Sequence, residues 1–142
     1  MVIDASLAVK WYRPEADSEA AHTFYAMHGC GLAAPDLIAV EVAGALVRCA
    51  NADKSMMSVM NEVIDEWSTL LAGPSITLYR TTPERMRDAA RLAISLGHPL
   101  KDCIYLALAR ELSCDFVTCD VRFAAKAALI YPRARTLHAP DP

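Results

Sequence analysis

Apolar positions along this chain follow two patterns. Short apolar or β-branched runs stand at Val2-Ile3, Leu32–Ala34, Ile76–Tyr79, Phe116–Cys119 and Arg135–Leu137, and they predict five strands. Between them the apolar positions recur at helical spacing. Leu37 to Asn51, with Asp36 before it as an N-cap, predicts one helix. Pro83 to Leu96, with proline in the first turn and Gly97 at the end, predicts another. Met56, Met57, Met60, Val63, Ile64, Trp67, Leu70 and Leu71 repeat at intervals of three and four, placing all of them on one stripe of a helix from about Ser55 to Leu71. That helix must bury one side. Leu100 to Leu112 and Val121 to Leu129 read as two more helices. Short buried strands alternating with helices on both faces make the class α/β, with a mainly parallel central sheet.

Composition narrows the picture. The chain has 142 residues, 54% of them hydrophobic and 22% charged, which suits one globular domain spanning residues 1–142. No repeat, low-complexity segment or linker interrupts it. The most apolar stretch, Leu37 to Val47, carries Glu41 and falls short of the roughly 18 residues a membrane span needs. The opening Met1-Val2-Ile3-Asp4 has neither the basic nor the long apolar segment of a secretory signal, so the expected location is the cytoplasm. Five cysteines, with no CxxC pair, suit reduced core thiols better than disulfides or zinc. The four histidines show no ligand spacing and read as surface or loop residues. A net charge of -3 rules out holding nucleic acid by bulk positive charge, so any such chemistry must come from a local site.

Several acids stand where an apolar core should not have them. Asp4 follows the first strand and Asp120 the fourth, and in an open parallel sheet the ligand site lies beyond the carboxyl ends of the strands. Each also reads as a helix N-cap. Glu41 lies among apolar helical neighbours, where an unpaired carboxylate costs several kcal/mol; it should be paired with a cation, protonated or bound to a metal. A structural salt bridge is the competing reading. Asp102 enters the apolar helix Leu100-Lys101-Asp102-Cys103-Ile104-Tyr105, where a favourable charge–dipole contact in the first turn explains it equally well. Taken together, the four acids can converge at one edge of the sheet, repelling one another unless a cation intervenes. Oxygen-only ligands suit Mg²⁺ or Mn²⁺.

The same residues carry a family resemblance. Val2-Ile3-Asp4-Ala5-Ser6 with Trp11 after it, Pro35-Asp36-Leu37 through Glu41 to Leu46, Asp102-Cys103-Ile104-Tyr105-Leu106-Ala107-Leu108-Ala109 and Val117-Thr118-Cys119-Asp120 resemble, in order, the motifs of PIN-domain ribonucleases. The compact size is similar to VapC-type toxins of toxin-antitoxin modules. The resemblance implies a three-layer α/β/α sandwich in which Asp4, Glu41, Asp102 and Asp120 form a catalytic metal site. Ser6 and Thr118 then fall at hydroxyl positions that hold those carboxylates in place. Some members carry a further acid soon after the fourth, where this chain has Val121-Arg122-Phe123.

The implied activity is Mg²⁺- or Mn²⁺-dependent endoribonuclease chemistry, in which a metal-activated water hydrolyses an RNA phosphodiester to leave a 5′-phosphate and a 3′-hydroxyl. Lys101 and Arg122 adjoin motif acids and are the first candidates for substrate contact; Lys10, Arg13, Arg48 and Lys126 are further ones. The resemblance also implies a small cognate antitoxin and a homodimer, with Met56, Met60 and Trp67 expected near the antitoxin groove. The alternatives are a non-catalytic binding module of the same fold or another metal-dependent phosphohydrolase on a parallel α/β sheet. A phosphoaspartyl hydrolase would want a second aspartate where Ser6 stands, and the acidic pair of a receiver domain is missing.

Overall fold

Val2 and Ile3 are fully buried, and the two-residue strand they form is the centre of the sheet. The computed structural model describes residues 1–138. β1 (Val2–Ile3) pairs in parallel with β2 (Leu32–Pro35) on one side and β4 (Phe116–Thr118) on the other. β3 (Ile76–Tyr79) adds outside β2 and β5 (Ala134–Thr136) outside β4, so the order is β3-β2-β1-β4-β5 with every pairing parallel. The five predicted strands are therefore present, the last displaced by one residue.

The chain steps from β1 outward to β3, then returns past β1 to β4. That reversal places a topological switch point between the carboxyl ends of β1 and β4. With the right-handed crossovers that parallel strands follow, this strand order puts the helices of the first half on one face and those of the second half on the other. The first set is α1 (Ala5–Ala8), α2 (Ser18–His28), α3 (Leu37–Ala52) and α4 (Met57–Ala72). The second is α5 (Pro83–Leu96), α6 (Leu100–Glu111) and α7 (Val121–Ala128). The class and layering match expectation.

α6 is the most buried helix: every residue from Cys103 to Ala109 is buried, as its unbroken apolar run demands. α5 ends where expected, Gly97 taking the left-handed conformation at φ 55 that a side chain would resist. It also buries Arg85, 4% exposed, whose guanidinium donates to both oxygens of Glu111 and to the Arg80 carbonyl.

Three local expectations are corrected. Asp36 does not cap α3; its carboxylate accepts from the Thr81 hydroxyl at 3.3 Å. The helix expected from Ser55 opens as a 3-10 turn, Lys54–Met56, which Asp53 caps, and Met57 turns to solvent off the apolar stripe. Cys103 is buried in the core, but Cys30 is exposed and the other thiols are half-buried; all are free. No helix among the described residues is long and apolar enough to cross a membrane.

Candidate active site

Asp4 leaves β1 in an extended conformation and caps α1, its Oδ1 accepting from the Leu7 amide at 3.2 Å. The Ser6 hydroxyl donates to the same oxygen at 2.6 Å, and the Thr118 hydroxyl donates to Oδ2 at 2.5 Å. Capping and site roles therefore coexist in one side chain. Asp4 is only 7% exposed, and burial pushes its pKa up to about 6 even though all three hydrogen bonds favour the carboxylate.

The strand ends are stitched together by hydroxyls. Ser6 Oγ accepts from the Cys119 amide and Thr118 Oγ1 from the Asp120 amide, each at 2.9 Å, and the two hydroxyls lie 3.3 Å apart. Asp120 in turn caps α7 through the Phe123 amide at 2.9 Å. Ser6 and Thr118 thus hold the loops that present Asp4 and Asp120, across the switch point where β1 meets β4.

Glu41, in the second turn of α3, reaches over to α6. Lys101 Nζ donates to its Oε1 at 2.8 Å and the Tyr105 hydroxyl donates to its Oε2 at 2.7 Å. The salt-bridge reading of Glu41 is therefore realised. Its helix is less enclosed than the pattern suggests, since Val40 and Val47 beside it are exposed. Asp102 sits in the first turn of α6, half-buried, with Lys101 Nζ 3.9 Å away. Burial raises its pKa, Lys101 and His98 oppose that, and the charges of Glu41 and Asp120 add to it. Lys101 is itself held above its ordinary pKa, chiefly by the hydrogen bond to Glu41, so it is a cation at neutral pH.

His98 and Tyr105 are the residues that sequence reasoning missed. His98 Nε2 lies 3.1 Å from Asp102 Oδ2, without an aligned hydrogen bond, and the ring stacks on Phe123 at 4.2 Å and 5°. Its spacing of four from Asp102 was the available signal. Tyr105 lies one turn after Lys101, on the same face of α6; its place in the Asp102–Ala109 block gives no sign that its hydroxyl meets Glu41.

All four acids line one open pocket of about 550 Å³, together with Lys10, Arg13, Arg48, Lys101 and Tyr105. Arg122, expected at the substrate, is not among the lining residues; the side chains from α1, its following turn and α3 take that place. Lys10 and Arg13 are engaged by Glu15 and Asp17, whereas Arg48 has no ion pair among the described residues. Met60 and Trp67, expected at a partner groove, are core residues. Trp67 is 1% exposed, donates to the Ala39 carbonyl at 3.3 Å and packs on Tyr12.

The donor set fits a hard divalent cation. It offers only oxygens, and Asp4 and Asp102 are both pushed toward protonation by burial and by neighbouring carboxylates, strain that a cation relieves. As the side chains stand, no three His, Cys, Asp or Glu groups among the described residues converge tightly enough to hold a metal.

A family model described as PIN domain matches residues 1–129. No curated protein matches the chain by sequence. Solved structures that share the fold include the following three. PAE2754 from Pyrobaculum aerophilum has a TM-score of 0.72 at 21% identity, covering 96% of this chain and 89% of that one. A toxin-antitoxin complex from Klebsiella pneumoniae has a TM-score of 0.65 at 12% identity, covering 98% of each chain. VapC20 from Mycobacterium tuberculosis, described as a sarcin-ricin loop cleaving toxin, has a TM-score of 0.69 at 11% identity, covering 87% of this chain and 93% of that one.

Proposed function

This chain belongs to the PIN-domain family, and from that premise we propose that it is a divalent-metal-dependent endoribonuclease acting as the toxin of a toxin-antitoxin pair. The observation that carries the reading is the meeting of Asp4, Glu41, Asp102 and Asp120, from four separate elements, in one pocket at the switch point of the sheet. The likeness to a toxin-antitoxin complex and to a sarcin-ricin loop cleaving toxin supports the biological role.

Asp4, Glu41, Asp102 and Asp120 would hold Mg²⁺ or Mn²⁺. Bound there, the ion supplies an activated water and stabilises negative charge on the phosphoryl and leaving oxygens. The protein's own contribution is positional. Ser6 and Thr118 fix both oxygens of Asp4, the Tyr105 hydroxyl fixes Glu41, and the Phe123 amide fixes Asp120. No side chain has to act as nucleophile. Arg48 and Lys101, at the pocket wall, attract the phosphates of the RNA past the acids.

The partners in this reading are a small antitoxin and a second copy of the chain, in the cytoplasm. Exposed Val40 and Val47 on α3 and Met57 and Val59 on α4 supply apolar surface for such contacts, in place of the buried Met60 and Trp67.

The test is direct. Purified protein should cleave single-stranded RNA with Mg²⁺ and lose that activity in EDTA. Asp4→Asn and Asp102→Asn should each reduce cleavage at least about a hundredfold, the scale of losing a group that stabilises transition-state charge, with circular dichroism unchanged. Cleavage that persists in EDTA or in either variant would defeat the mechanism.

A further inference from the structure

One contact in the pocket plays no part in the proposed chemistry. Lys101 Nζ donates to Glu41 Oε1 at 2.8 Å and stands 3.9 Å from Asp102 Oδ1, so one ammonium serves two of the four acids. The other lysine of the pocket behaves differently. Lys10 donates to the Ala16 carbonyl and lies near Glu15 and Asp17, away from the site acids. Lys101 comes from the first turn of α6, next to Asp102 in the chain, and its side chain is 62% exposed. It can therefore swing into solvent without disturbing the core. The second oxygen of Glu41 accepts from Tyr105, whose own side chain is buried, so the carboxylate stays tethered at that oxygen and can pivot about it when the lysine leaves.

We propose that Lys101 is a resident cation of the acid site, which a divalent ion must displace from Glu41 before the four carboxylates can turn toward it together. The inference rests on the metal reading above and adds a competitor to it. It accounts for why the acids do not yet converge on a metal-holding arrangement, since the charge of Glu41 is already neutralised from the side of α6. Exchange is balanced: the incoming ion takes over Glu41, and the released ammonium is left at the pocket wall, where a substrate phosphate can use it.

The experiment is calorimetric titration of the intact chain with Mn²⁺, with no RNA present. Lys101→Met, which keeps the length of the side chain and removes its charge, should bind Mn²⁺ about tenfold tighter than the wild type, as expected for one close, partly screened charge. Lys101→Gln should move affinity in the same direction, which guards against a folding fault peculiar to the methionine. Lys101→Arg, which restores the cation, should bind no tighter than the wild type. Lys10→Met should change affinity by less than about twofold, because that charge does not touch a site acid. If Lys101→Met binds no tighter, or if Lys10→Met gains as much, the displacement idea is wrong although the metal site stands. If neither wild type nor Lys101→Met binds Mn²⁺ at millimolar concentration, the metal reading falls and takes this inference with it.

Discussion

Asp4 shows how one side chain can be well held and still be out of place. Three donors favour its carboxylate, yet burial wins and lifts its pKa from 3.8 to about 6. In the unfolded chain it titrates near 3.8, so between the two values the folded state keeps a proton that the unfolded state has lost. The stabilisation from protonated Asp4 is therefore complete below pH 3.8 and is lost as pH rises through 6, a difference of about 3 kcal/mol. Asp4→Asn carries no such titration. In EDTA it should be more stable than the wild type by about 1–3 kcal/mol at pH 8, the advantage vanishing near pH 4, as urea unfolding at the two pH values will show. A margin independent of pH would mean that Asp4 is not a buried acid in solution. Asp4 and Asp120 were legible because a strand end followed by a helix start is a local pattern. The partner of Glu41 was not, since Lys101 lies 60 residues away in sequence. His98 reads from the sequence as a surface or loop residue, because Pro99 at the helix start breaks the helical spacing that brings it to Asp102.

At the level of elements, α4 separates pattern from role. Its apolar stripe correctly predicts a helix with one buried side, but a stripe does not say whether core or partner covers it. Here the core covers Met60 and Trp67, through α3 and Tyr12. Trp67→Ala should accordingly cost about 3–5 kcal/mol in urea unfolding, the scale of emptying a large buried aromatic site, with Trp67→Phe recovering a good part of it. A loss below about 1 kcal/mol would return Trp67 to the surface. α3 shows the opposite case. Its run of small and branched apolar residues looks enclosed on all sides, but Val40 and Val47 remain exposed, because a helix that borders a pocket on one side and the sheet on another leaves a third side open. Asp36 fails as a cap because its carboxylate turns to Thr81, just beyond the end of the neighbouring strand β3.

The whole molecule decides how a chain of net charge -3 can approach a polyanion. Attraction has to come from the few cations at the pocket, and of these Arg48 lacks an ion pair among the described residues. In the cleavage-dead Asp102→Asn background, Arg48→Ala should weaken binding of a short single-stranded RNA about three- to tenfold at low salt. It should also lower the slope of log affinity against log salt by about 1, read by fluorescence anisotropy. An unchanged slope would remove Arg48 from the phosphate path. Strand and helix positions, the α/β class and the four misplaced acids were determined by the sequence itself. Periodicity, helix caps and strand ends are short-range properties, and an acid in an apolar run is visible wherever the chain goes. Which acids share a pocket, that Lys101 of α6 reaches Glu41 of α3, and that Trp67 faces inward were decided only by the tertiary structure. Those contacts depend on the reversal that returns the chain from β3 past β1 to β4, and on packing between residues far apart in sequence.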